Sequence, residues 1–206
     1  MSEERPARLV VEVGERDHVQ GPATAAVTLV EYGDYECPYC QAALPIVEDL
    51  QRLLGDQLRF VFRHFPLTRV HPHAQHAAEA AEAAGAQGKF DEMHLALFEH
   101  QDALEDDHLS GYAADLDLDT AGFRRELDMH AHASRVGEDV QSGLDSGVTG
   151  TPTFYLDGLR CDGLVSVRGF LSTIRETHPE IDTGALDESV GRRAIPRVVY
   201  QRSSIR

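Results

Sequence analysis

Two cysteines three residues apart, in Cys37-Pro38-Tyr39-Cys40, follow directly on the strand-like run Val27-Thr28-Leu29-Val30-Glu31-Tyr32 and open a helical pattern. That arrangement turns ordinary thiols into a redox pair. The attacking species is the thiolate, and a free cysteine near pKa 8.5 is only slightly ionised at neutral pH. A helix N-terminus corrects this, because its first N–H groups have no intrahelical partner and its dipole adds partial positive charge. Pro38 suits the first helical position, where a missing N–H costs nothing. Cys40 falls on the same face one turn on, so Cys37 can attack a disulfide and Cys40 can resolve the mixed disulfide without unwinding the helix.

Other residues bear on the same chemistry. Period-2 alternation places Glu31 on the face of Val27 and Leu29, where burial raises its pKa and lets it take and return the proton of the resolving thiol. Asp34 and Glu36 flank Cys37 with negative charge that opposes thiolate formation. Tyr39 between the cysteines brings no positive charge, so the expected potential is intermediate, roughly −160 to −240 mV. Far downstream, Gly150-Thr151-Pro152-Thr153 leads into Phe154-Tyr155-Leu156. A cis Pro152 there brings Thr151 against Cys37, where the Thr151 backbone can pair with an extended substrate segment and Pro152 offers no competing N–H. Pro38, Tyr39, Thr151 and Pro152 are therefore the expected substrate-binding residues.

Zinc is the competing use of a close cysteine pair, but it needs four ligands and no second cysteine pair exists. His71, His73 and His76 could complete a site with Cys37 and Cys40, yet they read as the start of an exposed helix, and the expectation is no metal. Cys161, after the Asp157-Gly158 turn, reads as a small apolar residue. The eleven histidines show no metalloprotease-like spacing and read as mostly surface.

Composition sets the bounds. At 206 residues and 42% hydrophobic, the chain can bury a core without disulfide staples, and its three cysteines are too few for a secreted scaffold. The formal net charge of −16 excludes a nucleic-acid footprint. A local reversal follows Gly191, where Arg192, Arg193, Arg197, Arg202 and Arg206 occur without an acidic residue. No window reads as a membrane span or secretory signal, so the chain as given reads as cytoplasmic, or as extracytoplasmic if a leader has been removed.

Along the chain, Leu9–Val13 reads as a short strand, Val27–Tyr32 and Leu58–Phe62 as longer ones, and the helix from the cysteines to Gly55 as kinked at Pro45. From His73 to about Gly147 the pattern is helical. Strand chemistry returns at Thr153–Leu156 and around Arg160-Cys161, and a helix closes from about Val167 to Thr177. This order fits an α/β thioredoxin-like fold with an inserted helical domain. Residues 1–67 and 148–180 would form the core, 68–147 the helical insertion and 181–206 a C-terminal extension.

The stretches from Val27 to Cys40, Arg63-His64-Phe65-Pro66-Leu67 and Gly150-Thr151-Pro152-Thr153-Phe154 resemble the DsbA-like thiol:disulfide oxidoreductases of the thioredoxin superfamily. Most similar is the soluble thioredoxin-like domain that some sodium/proton antiporters carry at one end. The resemblance covers about Gly21 to Thr177. It implies Cys37 as nucleophile, Cys40 as resolving thiol, Glu31 as buried carboxyl and Pro152 as a cis proline preceded by Thr151. Strongly oxidising relatives have histidine where this chain has Tyr39.

The expected activity is disulfide exchange with protein thiols, without a cofactor beyond the redox-active disulfide and with glutathione or a partner dithiol as recycling agent. A glutathione-dependent isomerase or transferase of the same split architecture is the alternative enzyme. A redox-sensing module that engages a partner in one oxidation state is the non-enzymatic one.

Overall fold

Val27 and Leu29 turn to one side of their strand and Val30 and Tyr32 to the other, and all four are buried, which is why this run is almost continuously apolar. In the computed structural model, which describes residues 8–161, 165–183 and 194–195, the run is β2 (Val27–Gly33). It is the middle strand of a five-stranded sheet ordered β1-β3-β2-β4-β5, with β1 at His18–Gln20, β3 at Leu58–His64, β4 at Thr153–Leu156 and β5 at Leu159–Arg160. Helix α1 (Pro38–Leu54) makes the crossover between parallel β2 and β3, while β1 and β4 run antiparallel to their neighbours. Pro45 lies inside α1 without dividing it, and Gly55 ends the helix at φ 51°. The Asp157-Gly158 turn has both residues at positive φ, 47° and 75°, as a tight hairpin demands.

Five helices separate β3 from β4: α2 (Ala74–Ala86), α3 (Phe90–Glu99), α4 (Asp106–Asp115), α5 (Thr120–Asp128) and α6 (Ala133–Asp145). The first of them was expected to be exposed, and it is not. Ala74, Ala77, Ala78, Ala80, Ala81, Ala83 and Ala84 are all buried, because methyl side chains let α3, α4, α5 and α6 approach α2 closely on several sides. Ala77, Ala80, Ala81, Ala83 and Ala84 share one core with Val27, Leu29, Ile46, Leu50, Phe60 and Phe62. On the other face, Val30, Tyr32, Val61, Phe65 and Tyr155 form a smaller cluster. Gly143 of α6 is required there, since a Cβ would come within 2.7 Å of the Phe65 ring. Helix α7 (Val167–Thr177) follows the short strand β6 (Val165–Ser166), which pairs with β7 (Ala194–Ile195), and is capped by Ser166. Among the described residues no helix is long and apolar enough to cross a membrane. The five arginines after Gly191 lie outside the described residues.

Leu9–Val13 is not a strand, despite its β-branched residues. Its backbone is drawn to side chains and loops instead: Leu9 N–H donates to Gly158 O and Val10 N–H to Ser146 Oγ. Val11 O and Glu12 O accept from the Arg63 guanidinium. Pairing with the edge strand β5 stops at a single antiparallel bridge, Arg8 with Leu159, and beyond it strand propensity gives way to these contacts. Arg63, only 2% exposed, spends all five of its N–H donors, the other three going to both Asp17 oxygens and Tyr32 Oη at 2.7–3.0 Å.

Burial opposes Asp17 ionisation, but the Arg63 hydrogen bonds, the Gly14 N–H and the charges of Arg63 and Arg135 together outweigh it and lower its pKa. Its stabilisation is therefore complete above the unfolded carboxyl value near about 4 and is lost as pH falls through the folded value. Asp17→Ala is expected to cost about 3 kcal/mol at pH 7, because it leaves a buried guanidinium uncompensated. Urea unfolding at pH 7 measures this, and a loss no larger than that of an exposed pair would remove Arg63 as the anchor of the N-terminal segment.

Candidate active site

The register of the central strands brings the two distant motifs together. Beyond the last β2–β4 pair, Tyr32 with Thr153, the chain on one side continues into the loop leading to Cys37 and on the other is Pro152 and Thr151. The Thr151–Pro152 peptide bond is cis. Cys37 is the N-cap of α1 in an extended conformation, with Pro38 following at the first helical position. Its thiol donates to Thr151 O at 3.3 Å, while its N–H donates to Asp34 O at 3.1 Å. Asp34 N–H in turn reaches Cys40 Sγ at 3.4 Å. Gln101 Nε2 holds the loop from the helical side, donating to Tyr35 O and Cys37 O. Both cysteines are buried, whereas Tyr39 is 37% exposed. A groove lined by Glu36, Pro38, Gln41, Gln101 and Asp102 opens beside them.

The two thiols have opposite fates. The hydrogen bond from Cys40 is the largest influence on Cys37 and lowers its pKa to about 6 against the cost of burial, helped by the Thr151 side chain and the N–H groups of Cys40 and Tyr39. Thr151 Oγ1 is buried and has no other partner, so its hydroxyl is free to favour the Cys37 thiolate. Burial first, then the hydrogen bond and charge of Cys37, push Cys40 well above the ordinary thiol value. Glu31 is 3% exposed, on the face of Val27 and Leu29. Burial, and after it the charge of Cys37, raise its pKa to about 8, and its Oε1 has no hydrogen-bond partner. A readily ionised thiol, a second thiol held protonated and a carboxyl raised to about 8 thus share one buried site.

A family model described as thioredoxin matches residues 14–176. The chain belongs to the thioredoxin family. It is 51% identical over 162 residues to Na(+)/H(+) antiporter NhaA 1 of Salinispora arenicola and 46% identical over 154 residues to NhaA of Herminiimonas arsenicoxydans. These alignments take in 78% and 75% of this chain but 24% of each relative, so the chain spans about a quarter of the length of the curated relatives it matches. Among solved structures, a thioredoxin-like oxidoreductase from Silicibacter pomeroyi aligns with TM-score 0.71 and 26% identity over 81% of this chain and 94% of that one. BdbD from Bacillus subtilis aligns with TM-score 0.71 and 24% identity over 79% and 92%. The α-DsbA1 of Wolbachia pipientis reaches the same TM-score at 17% identity, over 88% and 98%.

In this thioredoxin-family chain the carboxylates beside the nucleophile do not stand as bare charges, contrary to expectation. Asp34 accepts from Glu36 N, Leu67 N and His71 Nδ1 at 2.7–2.8 Å. Glu36 accepts from His73 N at 2.7 Å and from His73 Nδ1 at 3.1 Å. His76 pairs with Asp106. The three histidines weighed as partners of Cys37 and Cys40 in a metal site thus each hold a carboxylate.

Most histidines are exposed or half-buried, as expected, but His64 and His94 are buried. His64 is buried, and its Nε2 and that of His18 both approach Glu82 Oε1, at 2.9 and 2.8 Å. These three could hold a metal ion, but imidazole hydrogen bonds already close the group and the Arg135 guanidinium lies 3.8 Å from the same oxygen. Burial, and then the charges of His64 and His18, lower His94 to about 3, so its Nδ1 accepts from the Tyr35 hydroxyl at 3.0 Å. Cys161 lies part-buried against the main core. Gln101, His71 and His94 were missed because nothing local in the sequence ties them to the cysteine loop, although the His71-Pro72-His73 spacing was visible.

Reduced protein titrated by thiolate absorbance near 240 nm should show Cys37 ionising with a midpoint near pH 6. A midpoint near 8.5 would mean that the helix end and Thr151 do not stabilise the anion. Because the folded Glu31 pKa lies above its unfolded value, the native state holds a proton the unfolded chain has lost, and stability falls as pH rises between about 4.5 and 8. Glu31→Gln should abolish that decline and stabilise the protein by a few kcal/mol at pH 8, read as the urea midpoint at pH 5 and 8.

Proposed function

We propose that the protein is a thiol:disulfide oxidoreductase acting on protein thiols and disulfides through Cys37 and Cys40. The observation that carries this is the difference between the two buried thiols, with Cys37 lowered to about 6 at the start of α1 and Cys40 raised. The Cys37 thiolate attacks one sulfur of a substrate disulfide. The substrate S–S bond breaks, a Cys37–substrate disulfide forms, and the departing thiolate takes a proton from solvent. Glu31, ionised, accepts the Cys40 proton, and the resulting thiolate attacks Cys37 Sγ, breaking the mixed disulfide and expelling the second substrate sulfur as a thiolate that takes up a proton in turn. One disulfide is reduced and Cys37–Cys40 is oxidised. Run backwards, the same steps oxidise a substrate dithiol, with Glu31 returning the proton.

Thr151 and Pro152 present backbone to an extended substrate segment, as an added strand would require. Pro38 and the exposed Tyr39 border the point of attack. A partner dithiol or glutathione recycles the pair, and no other cofactor is needed. Antiporter activity belongs to the longer relatives. Retention of two thiols with opposed ionisation favours this reading over a glutathione transferase, which needs no resolving cysteine.

Cys40→Ser should accumulate a mixed disulfide through Cys37 with a disulfide-containing test protein, and Cys37→Ser should lose exchange altogether. Glu31→Gln should slow the resolving step by roughly 10- to 100-fold at pH 7, seen as transient build-up of the mixed disulfide. Undiminished glutathione-dependent turnover by Cys40→Ser would overturn the dithiol mechanism in favour of the transferase.

A further inference from the structure

Asp34 is joined to both cysteines through its backbone: its carbonyl accepts from Cys37 N–H at 3.1 Å and its N–H donates to Cys40 Sγ at 3.4 Å. Its side chain is fully buried, and an ionised carboxylate there opposes negative charge on the dithiol, as it does at Cys40, unless a cation answers it. Two of its three side-chain donors are neutral backbone groups, Glu36 N and Leu67 N. The third is His71 Nδ1 at 2.8 Å, from the segment between β3 and α2, with a side chain 13% exposed. His71 is therefore placed to cancel the Asp34 charge while keeping contact with solvent protons.

We infer that His71 is a positioning residue for the dithiol: its imidazolium neutralises Asp34 so that Cys37 can ionise, and its proton is coupled to the oxidation state of the Cys37–Cys40 pair. Among the described residues, the charged and titratable groups that act on His71 include Asp34 and Glu36, from the loop after β2, and Cys37 at the start of α1. Glu36 is itself engaged by His73. Although burial opposes it, the hydrogen bond and charge of Asp34, followed by the charge of Cys37, raise the His71 pKa. Coupling is reciprocal, so whatever Cys37 does to the proton on His71, that proton does to the thiolate. Forming the disulfide removes the sulfur's negative charge and must loosen the proton. The protein thus supplies a cation from a separate loop, although position 39 between the cysteines holds a tyrosine. The consequence for redox potential rests on the exchange mechanism proposed above, whereas the ionisation of Cys37 and His71 can be read without it.

His71→Asn is the informative variant, because the Asn amide can keep the hydrogen bond to Asp34 but carries no charge. In the reduced full-length protein its Cys37 midpoint, followed at 240 nm, should rise by about one unit, a tenfold loss of thiolate at a given pH below the midpoint. The equilibrium with glutathione should shift toward the disulfide by a similar factor. The double variant Asp34→Asn/His71→Asn, which removes the buried charge as well, should bring the Cys37 midpoint back toward the wild-type value, a reversal that structural damage would not produce. In the wild-type protein, NMR titration of the His71 ring should give a lower midpoint for the disulfide form than for the dithiol form.

An unchanged Cys37 midpoint in folded His71→Asn, or identical His71 midpoints in the two redox forms, would overturn the inference. If His71→Asn does not fold, the wild-type NMR comparison decides. Failure of Cys37 and Cys40 to form a disulfide at any glutathione poise would sink the proposed mechanism, while the Cys37 titration would still report on His71.

Discussion

A sulfur atom fully removed from water can carry charge only where the protein replaces the lost hydration, and Cys37 is such a sulfur. Its replacements come from three directions. The open end of α1 supplies N–H groups, Cys40 supplies an S–H, and Thr151 supplies a hydroxyl from a chain segment 114 residues away. Each depends on a different part of the fold. The helix must begin at residue 38, Cys40 must stay protonated by burial, and β4 must lie beside β2 in the register that pairs Tyr32 with Thr153. A one-residue slip in that pairing would move Thr151 away and turn every β4 side chain to the opposite face.

Much of the molecule serves to keep that register and the cysteine loop still. The loop is held below by Asp34, which collects donors from its own turn and from the chain after β3, and above by Gln101, which bonds the carbonyls of Tyr35 and Cys37. Tyr35 is fixed among Phe62, Phe98 and His94, so helix α3 and the sheet clamp the loop's aromatic residue between them. The helices between β3 and β4 are therefore part of the site as well as part of the core. On the far face, Arg63 ties the N-terminal segment to β3 and β2 through Asp17, two carbonyls and Tyr32. Both arrangements satisfy buried polar groups almost completely, and the few that remain unpaired include Glu31 Oε1 and Thr151 Oγ1, both beside the dithiol.

Those unpaired atoms mark where stability and chemistry pull apart. A buried carboxyl without a partner costs stability whenever it ionises, and an unpaired hydroxyl costs it for as long as Cys37 stays protonated. Both are tolerated where a proton or a thiolate needs somewhere to go. The close cysteine pair, the apolar strand ahead of it and the alternation that puts Glu31 with Val27 and Leu29 were all legible from residue order, and so were α1, β2, β3, β4 and α7 to within a few residues. These features are local: strand period, helix period, proline position and the spacing of two thiols each live within a dozen residues.

What tertiary structure decided was the fate of every charge near the dithiol. Asp34 and Glu36 look like repulsive neighbours of Cys37 in sequence, yet folding hands them His71 and His73 from a segment more than thirty residues on. The alanine-rich α2 and the histidines at 64 and 94 look exposed by composition but are buried, since alanine gives no periodic signal strong enough to show that helices cover it on several sides. Leu9–Val13 has the residues of a strand, but beyond one bridge to the β5 edge its backbone is taken up by Gly158, Ser146 and Arg63. By itself the sequence determined the spacing of the two thiols at a helix start and which face of β2 their carboxyl neighbour takes, because periodicity and spacing are properties of adjacent residues. Which counter-charges those atoms meet, and so how readily Cys37 ionises, depended on pairing segments far apart in the chain, and no local pattern encodes such pairings.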